Sequence, residues 1–119
     1  MSDKHIISAR PGFIRARNHG EKAISKTVII QAVRGDGDSW RYGLTATKKI
    51  GNAVIRNRVR RRLRVIAREV LAPIAMSDVD YVLIGRATTA TSSWAVLVTE
   101  AKKSLTYLHR KLGEAEKQG

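Results

Sequence analysis

From Ala53 to about Leu71 the chain reads as one helix with two opposed faces, and few folds can accommodate both. At about 100° per residue, Ile55, Val59, Leu63, Ile66, Ala67, Val70 and Leu71 sweep a continuous apolar arc. Asn57, Arg60, Arg61, Arg64 and Arg68 sweep the arc facing away from it. Arg58 and Arg62 flank the apolar arc on one side, and Arg56 sits on its other margin. Seven arginines therefore fall within the thirteen residues 56–68, and no acidic residue occurs between Asp38 and Glu69. The apolar arc requires a core to cover it. The basic arc has to stay clear of that core.

Such a helix is not built for its own stability. Arginines four apart (Arg56/Arg60, Arg58/Arg62, Arg60/Arg64, Arg64/Arg68) repel. Arg56 and Arg58 also lie near the N-terminus, where the helix dipole disfavours cations. Each effect is worth a few tenths of a kcal/mol, and all have the same sign. A solvated helix face normally carries carboxylates that relieve this repulsion. A polyanion would relieve it here, and the formal net charge of +13 points the same way. The choice of arginine adds detail. A guanidinium binds phosphate oxygens in pairs and stacks on bases, which an ammonium does not. Lys48 and Lys49 sit beside the helix start. Asn52 is the expected N-cap, and the free amides behind it make a candidate phosphate site. Gly51 permits close approach of the backbone.

The rest of the chain supplies the scaffold. Pro11 starts a short predicted helix that ends near Asn18. Residues 22–34 are rich in β-branched side chains and predict strand, with a break near Ser25 and Lys26. A Gly/Asp turn leads to a strand from Trp40 to Thr47, expected to run antiparallel to its predecessor. After the arginine helix, closed by Pro73, Tyr81–Gly85 reads as a buried strand. The intervening helix makes Trp40–Thr47 and Tyr81–Gly85 candidate parallel neighbours. Residues 86–91 read as loop. Ser92 or Ser93 then caps a last helix with Trp94, Leu97, Val98, Ala101, Leu105, Leu108 and Leu112 on its apolar stripe, ended by Gly113. The expected architecture is a small α+β sandwich of order α-β-β-β-α-β-α. It forms one RNA-binding domain over residues 1–119, with flexible ends at 1–8 and 114–119.

Several chemistries are excluded or weakened. The chain has no cysteine, which rules out disulfides and thiolate sites. His5, His19 and His109 lack ligand spacing. Asp36 and Asp38 are turn residues around Gly37, and Asp78 and Asp80 read as turn and capping groups. No clustered carboxylates of the kind a protein nuclease needs are present. Two tryptophans, three tyrosines and one phenylalanine are too few for an extended stacking platform. Trp94 opens an apolar stripe and is assigned to the core. No apolar segment suits a signal peptide or a membrane anchor, so a cytoplasmic protein without a membrane partner is expected. The residues alone leave three candidates: a subunit of an RNA-processing particle, another RNA-binding module of ribosomal or chaperone type, and a duplex-DNA reader.

At KKIGNAVIRNRVRRRLR, residues 48–64, the chain resembles the bacterial ribonuclease P protein component, with an Arg-Asn-Arg core at Arg56, Asn57 and Arg58. GLTATKK before it, DYVLIGR after it and SSWAVLVTEAKKSL near the end extend the resemblance from about Ala9 to Lys111. The resemblance implies a subunit of an endoribonuclease whose RNA performs the hydrolysis with Mg²⁺ held mainly by RNA, so no catalytic residue and no protein metal site are expected. It implies ribonuclease P RNA and precursor tRNA as partners, with no obligate protein partner. It also implies a left-handed crossover around the arginine helix. On this reading Lys48, Lys49, Asn52, Arg56, Asn57, Arg58, Arg60, Arg61, Arg64, Arg68 and Arg86 face the catalytic RNA. Phe13, Arg17, Gln31, Thr45 and Thr47 line a cleft for the 5′ leader. In the family the position of Arg17 is often aromatic or apolar and that of Gln31 often aromatic, which makes Phe13 the expected stacking residue.

Overall fold

A computed structural model describes residues 6–7, 19–35 and 39–118. The predicted first helix, the Gly/Asp turn at 36–38, Phe13 and Arg17 lie outside the described residues. Four strands form one sheet: β1 (Glu21–Ile24), β2 (Val28–Arg34), β3 (Arg41–Thr45) and β4 (Val79–Gly85). The break between β1 and β2 falls where the sequence places it. The Ser25 hydroxyl donates to Val28 O at 2.7 Å and accepts from Val28 N–H at 3.2 Å, closing a tight turn.

The strand order is β1-β2-β4-β3. β3 and β4 pair in parallel, as the strand–helix–strand pattern predicts. The expected antiparallel pairing of β2 with β3 does not occur, because β4 lies between them and pairs antiparallel with β2. The physical reason is composition. β4 is apolar on both faces and gains from a central position. β3 carries Arg41, Gly43 and Thr45 on one face and tolerates an edge.

Alternation gives the sheet two faces. Val28, Ile30, Ala32, Tyr42, Val79, Tyr81 and Leu83 point to the main core. They pack under α1 (Ala53–Ile66) and α3 (Trp94–Gln118). α1 contributes Val59, Leu63 and Ile66, and α3 contributes Leu97, Ala101, Leu105 and Leu108, all fully buried. Gly85 permits the close crossing of α1, since a Cβ there would lie 2.3 Å from Val59 Cγ1. The opposite face holds a smaller cluster of Val33 and Val82 with Ile7 and Ile84.

Helix ends follow from capping chemistry. Asn52 Oδ1 accepts from Ile55 N–H at 3.0 Å, as expected of an N-cap. Before it, Lys48–Ile50 forms a 3-10 turn rather than the end of a strand, and Gly51 has φ +149°, a backbone that L side chains rarely adopt. α1 widens to a π-helical turn over Ala67–Leu71, and Pro73 follows within a 3-10 turn. Pro73 lacks an N–H and its ring crowds the preceding turn, so the ladder opens ahead of it.

Three further expectations fail. Residues 87–91 form a short helix, α2 (Ala87–Thr91), instead of a loop. Three threonines in this segment have low intrinsic helix propensity, but the hydroxyls of two of them find partners. Thr89 Oγ1 accepts from Arg86 N–H at 2.9 Å and donates to Thr27 O, and Thr88 Oγ1 donates to Lys26 O. Gly113 does not end α3, which continues to Gln118. Glu114 sits within 4.0 Å of both Arg110 and Lys111, and such spaced pairs support continuation. Trp94 is not core: it is 37% exposed. Ser93 is the residue that caps α3, accepting from Val96 N–H at 3.2 Å.

Candidate nucleic-acid interface

The burial of Val59, Leu63 and Ile66 fixes the rotation of α1, so the arginine arc has to point outward. Arg61, Arg64 and Arg68 are exposed and Arg60 is half-exposed. A shallow groove of about 500 Å³ runs between Val54, Asn57, Arg60, Arg61 and Arg64. Arg60 reaches Asn57 Oδ1 at 3.4 Å and Ala46 O at 3.5 Å, both long contacts that leave its fork available. Among the described residues, none of the α1 arginines pairs with a carboxylate. The Nε of Arg56 is buried and has no hydrogen-bond partner among them. Lys48, Lys49 and Asn52 lie exposed at the entry to the helix and extend the same basic surface.

The two arginines on the flank behave differently. Arg58 Nε–H donates to Ala90 O at 2.8 Å. Arg62 donates to Thr89 O at 2.9 Å and to Ser92 O at 2.7 Å, and stacks beside Trp94. Burial, with Arg58 close by, pulls the Arg62 guanidinium below its ordinary value. These two side chains tie α1 to α2. The sequence signalled their position on the wheel but not the carbonyls they meet. Arg86 is exposed and is also engaged, donating to Ser25 O at 2.7 Å and so clamping the β1–β2 turn.

The predicted leader residues divide. Gln31 and Thr45 both project from the sheet face opposite the main core. Gln31 is only 5% exposed, and Thr45 is half-buried. Thr47 is exposed beyond the end of β3, next to Lys48. The same face carries Asp80, which is 1% exposed and held by Arg41 through contacts of 3.0 and 2.6 Å. Asp78 pairs with Arg34 at 2.6 Å. A divalent cation of the Mg²⁺ type needs free oxygen donors. The outward surface offers guanidinium groups instead, and these two carboxylates are committed to arginines. The donor set here does not fit a protein-held Mg²⁺. Among the described residues no helix is long and apolar enough to cross a membrane.

The chain is similar to known proteins in sequence and in fold. The family model described as Ribonuclease P matches residues 1–109. The ribonuclease P protein component of Gluconacetobacter diazotrophicus is 42% identical over 107 residues, covering 88% of this chain and 92% of that protein. That of Geobacillus kaustophilus is 33% identical over 120 residues, covering 100% of this chain and 95% of that one. The solved ribonuclease P protein of Thermotoga maritima superposes with a TM-score of 0.72 over 90% of this chain and 97% of that chain, at 20% identity, and so shares the fold. An outward arginine helix on a β1-β2-β4-β3 sheet, matched by sequence over nearly its whole length, places the chain in the ribonuclease P protein family.

Proposed function

We propose that the chain is the protein subunit of a ribonuclease P ribonucleoprotein and grips the catalytic RNA with the outward face of α1. The observation that carries this reading is the set Arg60, Arg61, Arg64 and Arg68, which faces solvent with no carboxylate partner among the described residues. Arg56, Asn57, Lys48, Lys49 and Asn52 border that set and extend it. Arg58 and Arg86 have backbone partners already; their remaining N–H groups are assigned to the RNA as a secondary contribution. Precursor tRNA is the substrate on this reading. Its 5′ leader runs along the second sheet face past Thr45 and Thr47, with Gln31 as part of the buried floor. Phe13 and Arg17 are assigned to the same path from their place in the sequence.

The chain's contribution to the chemistry is electrostatic and positional. Guanidinium groups neutralise phosphates that would otherwise repel one another when two RNAs are brought together. This lowers the cation concentration needed for assembly. Mg²⁺ is assigned to the RNA, and no step of hydrolysis is assigned to a protein side chain. Reconstitution tests the reading. With a ribonuclease P RNA and a precursor tRNA, added protein should lower the Mg²⁺ required for leader removal, and protein without RNA should leave the substrate intact. Metal-dependent cleavage by the protein alone, or no shift in the Mg²⁺ requirement, would contradict it.

A further inference from the structure

The flank of α1 opens into a second groove, of about 420 Å³, lined by Arg58, Arg61, Arg62, Val65 and Trp94. Its size falls within the roughly 300–1,000 Å³ of clefts that hold small ligands. Trp94 is the first residue of α3 and lies partly open to solvent. The Arg62 guanidinium carbon sits 5.9 Å from the Trp94 ring centroid. Because Arg62 is itself held by Thr89 O and Ser92 O, it fixes the position of the indole and does not wander across it. Arg58 is anchored through Nε alone, which leaves its terminal nitrogens for a ligand. Arg61 has no partner among the described residues and points to the same groove.

An indole with one guanidinium over its ring and two more in the same groove lining matches one chemistry closely. A nucleobase stacks on the ring, and its phosphate takes the guanidinium donors. The anchored arginines have already lost much of their rotamer freedom, so a ligand has less entropy to remove on binding. A basic or purely apolar partner would leave the cations uncompensated.

From this geometry we infer that the Trp94 groove holds one unpaired nucleotide of the RNA partner, with its base against the indole and its phosphate on Arg58 and Arg61. The inference rests on the RNA-binding reading of α1. It adds a site that discriminates unpaired from paired RNA, beside a face that recognises phosphate alone.

The chain has two tryptophans, so Trp40→Phe leaves Trp94 as the sole reporter. Trp40 stacks on Tyr42, and phenylalanine preserves an aromatic partner there. The full-length variant is titrated with a ribonuclease P RNA and, separately, with an RNA duplex lacking unpaired nucleotides. Binding is followed by filter retention in parallel. Expected are a fall in Trp94 emission and protection from acrylamide with the first RNA, and neither with the duplex. Trp94→Ala should weaken binding of the first RNA about five-fold or more without changing its salt dependence, while Trp94→Phe retains most of the affinity. Retained binding with the full salt dependence of the arginine face, but unchanged Trp94 emission and accessibility, would overturn the groove and leave the α1 reading intact. Failure of both RNAs to bind would remove the α1 reading and the groove with it. If Trp94→Ala does not fold, the Trp40→Phe titration decides alone.

Discussion

Arginine is used in two opposite ways within this protein. At one end of the sheet, Arg34 and Arg41 each meet a carboxylate at 2.6 Å, on Asp78 and Asp80. On α1 and the π-helical turn that continues it, Arg60, Arg61, Arg64 and Arg68 meet none among the described residues, although they crowd one another along the helix. Among the described residues, the acids that pair with arginines of the sheet lie away from this face. Charges that serve the fold are paired within it. Charges left to repel on a helix face raise the energy of the free protein and make an external polyanion a net stabiliser. Arg58 and Arg62 form a third group, satisfied by backbone carbonyls, which joins the functional face to the scaffold.

Removing the outward set has the largest expected effect. Replacing Arg60, Arg61, Arg64 and Arg68 together by alanine should lower the slope of log affinity against log salt by up to about three to four units. Thermal stability should hold or rise, since repulsion is relieved. A retained slope would mean these arginines touch no phosphate. The converse experiment is Asp80→Asn. It removes the charge of a buried carboxylate that accepts from the half-exposed Arg41, and should cost about 1–3 kcal/mol in denaturant unfolding. The salt slope of RNA binding should not move, and a clear change in it would blur the division between the two groups.

A finer test uses the single variant Arg64→Ala. It should reduce the slope by up to about one unit with folding unchanged.

The smallest effect concerns protons. Tyr81 Oη accepts from Met76 N–H at 3.0 Å and lies 2.6 Å from His109 Nε2. Burial pushes the Tyr81 phenol up to about 12, so it stays neutral and can donate to the imidazole. Burial, then the nearby Arg34 charge, lowers the His109 value below its usual 6.5. The native state therefore binds this proton less readily than the unfolded chain. Stability from this site is complete above about pH 6.5, declines as the pH falls toward the native value, and levels off below it. The decline should be smaller in His109→Gln, measured by chemical unfolding between pH 7 and pH 5. Equal declines would show that His109 is not the responsible group.

Much of this was legible because period carries direction. The α1 pattern fixed which side would be buried, and burial of Val59, Leu63 and Ile66 then forced the arginines outward. The Ser25 turn, the Asn52 cap and the parallel pairing of β3 with β4 were local or topological consequences of the same kind. Most of the failures depended on a partner distant in sequence; the continuation of α3 past Gly113 is the exception, supported locally by Glu114 with Arg110 and Lys111. β4 takes the sheet centre because its two apolar faces need covering on both sides. The threonines of α2 become helical because Lys26 and Thr27, about sixty residues earlier, supply acceptors. Arg58 and Arg62 meet carbonyls about thirty residues away. Trp94 lies on the apolar stripe of α3, but it stands at the helix end, where the core stops and Arg62 takes over.

We place the grip on a catalytic RNA at the outward face of α1. That placement is tested by a Mg²⁺ titration of precursor-tRNA cleavage by a ribonuclease P RNA, with either the unmodified protein or the fourfold arginine-to-alanine variant at equal concentration. The unmodified protein should shift the titration to lower Mg²⁺, and the variant, folded by circular dichroism, should leave it close to that of the RNA alone. A variant that lowers the Mg²⁺ requirement as well as the unmodified protein would contradict the account.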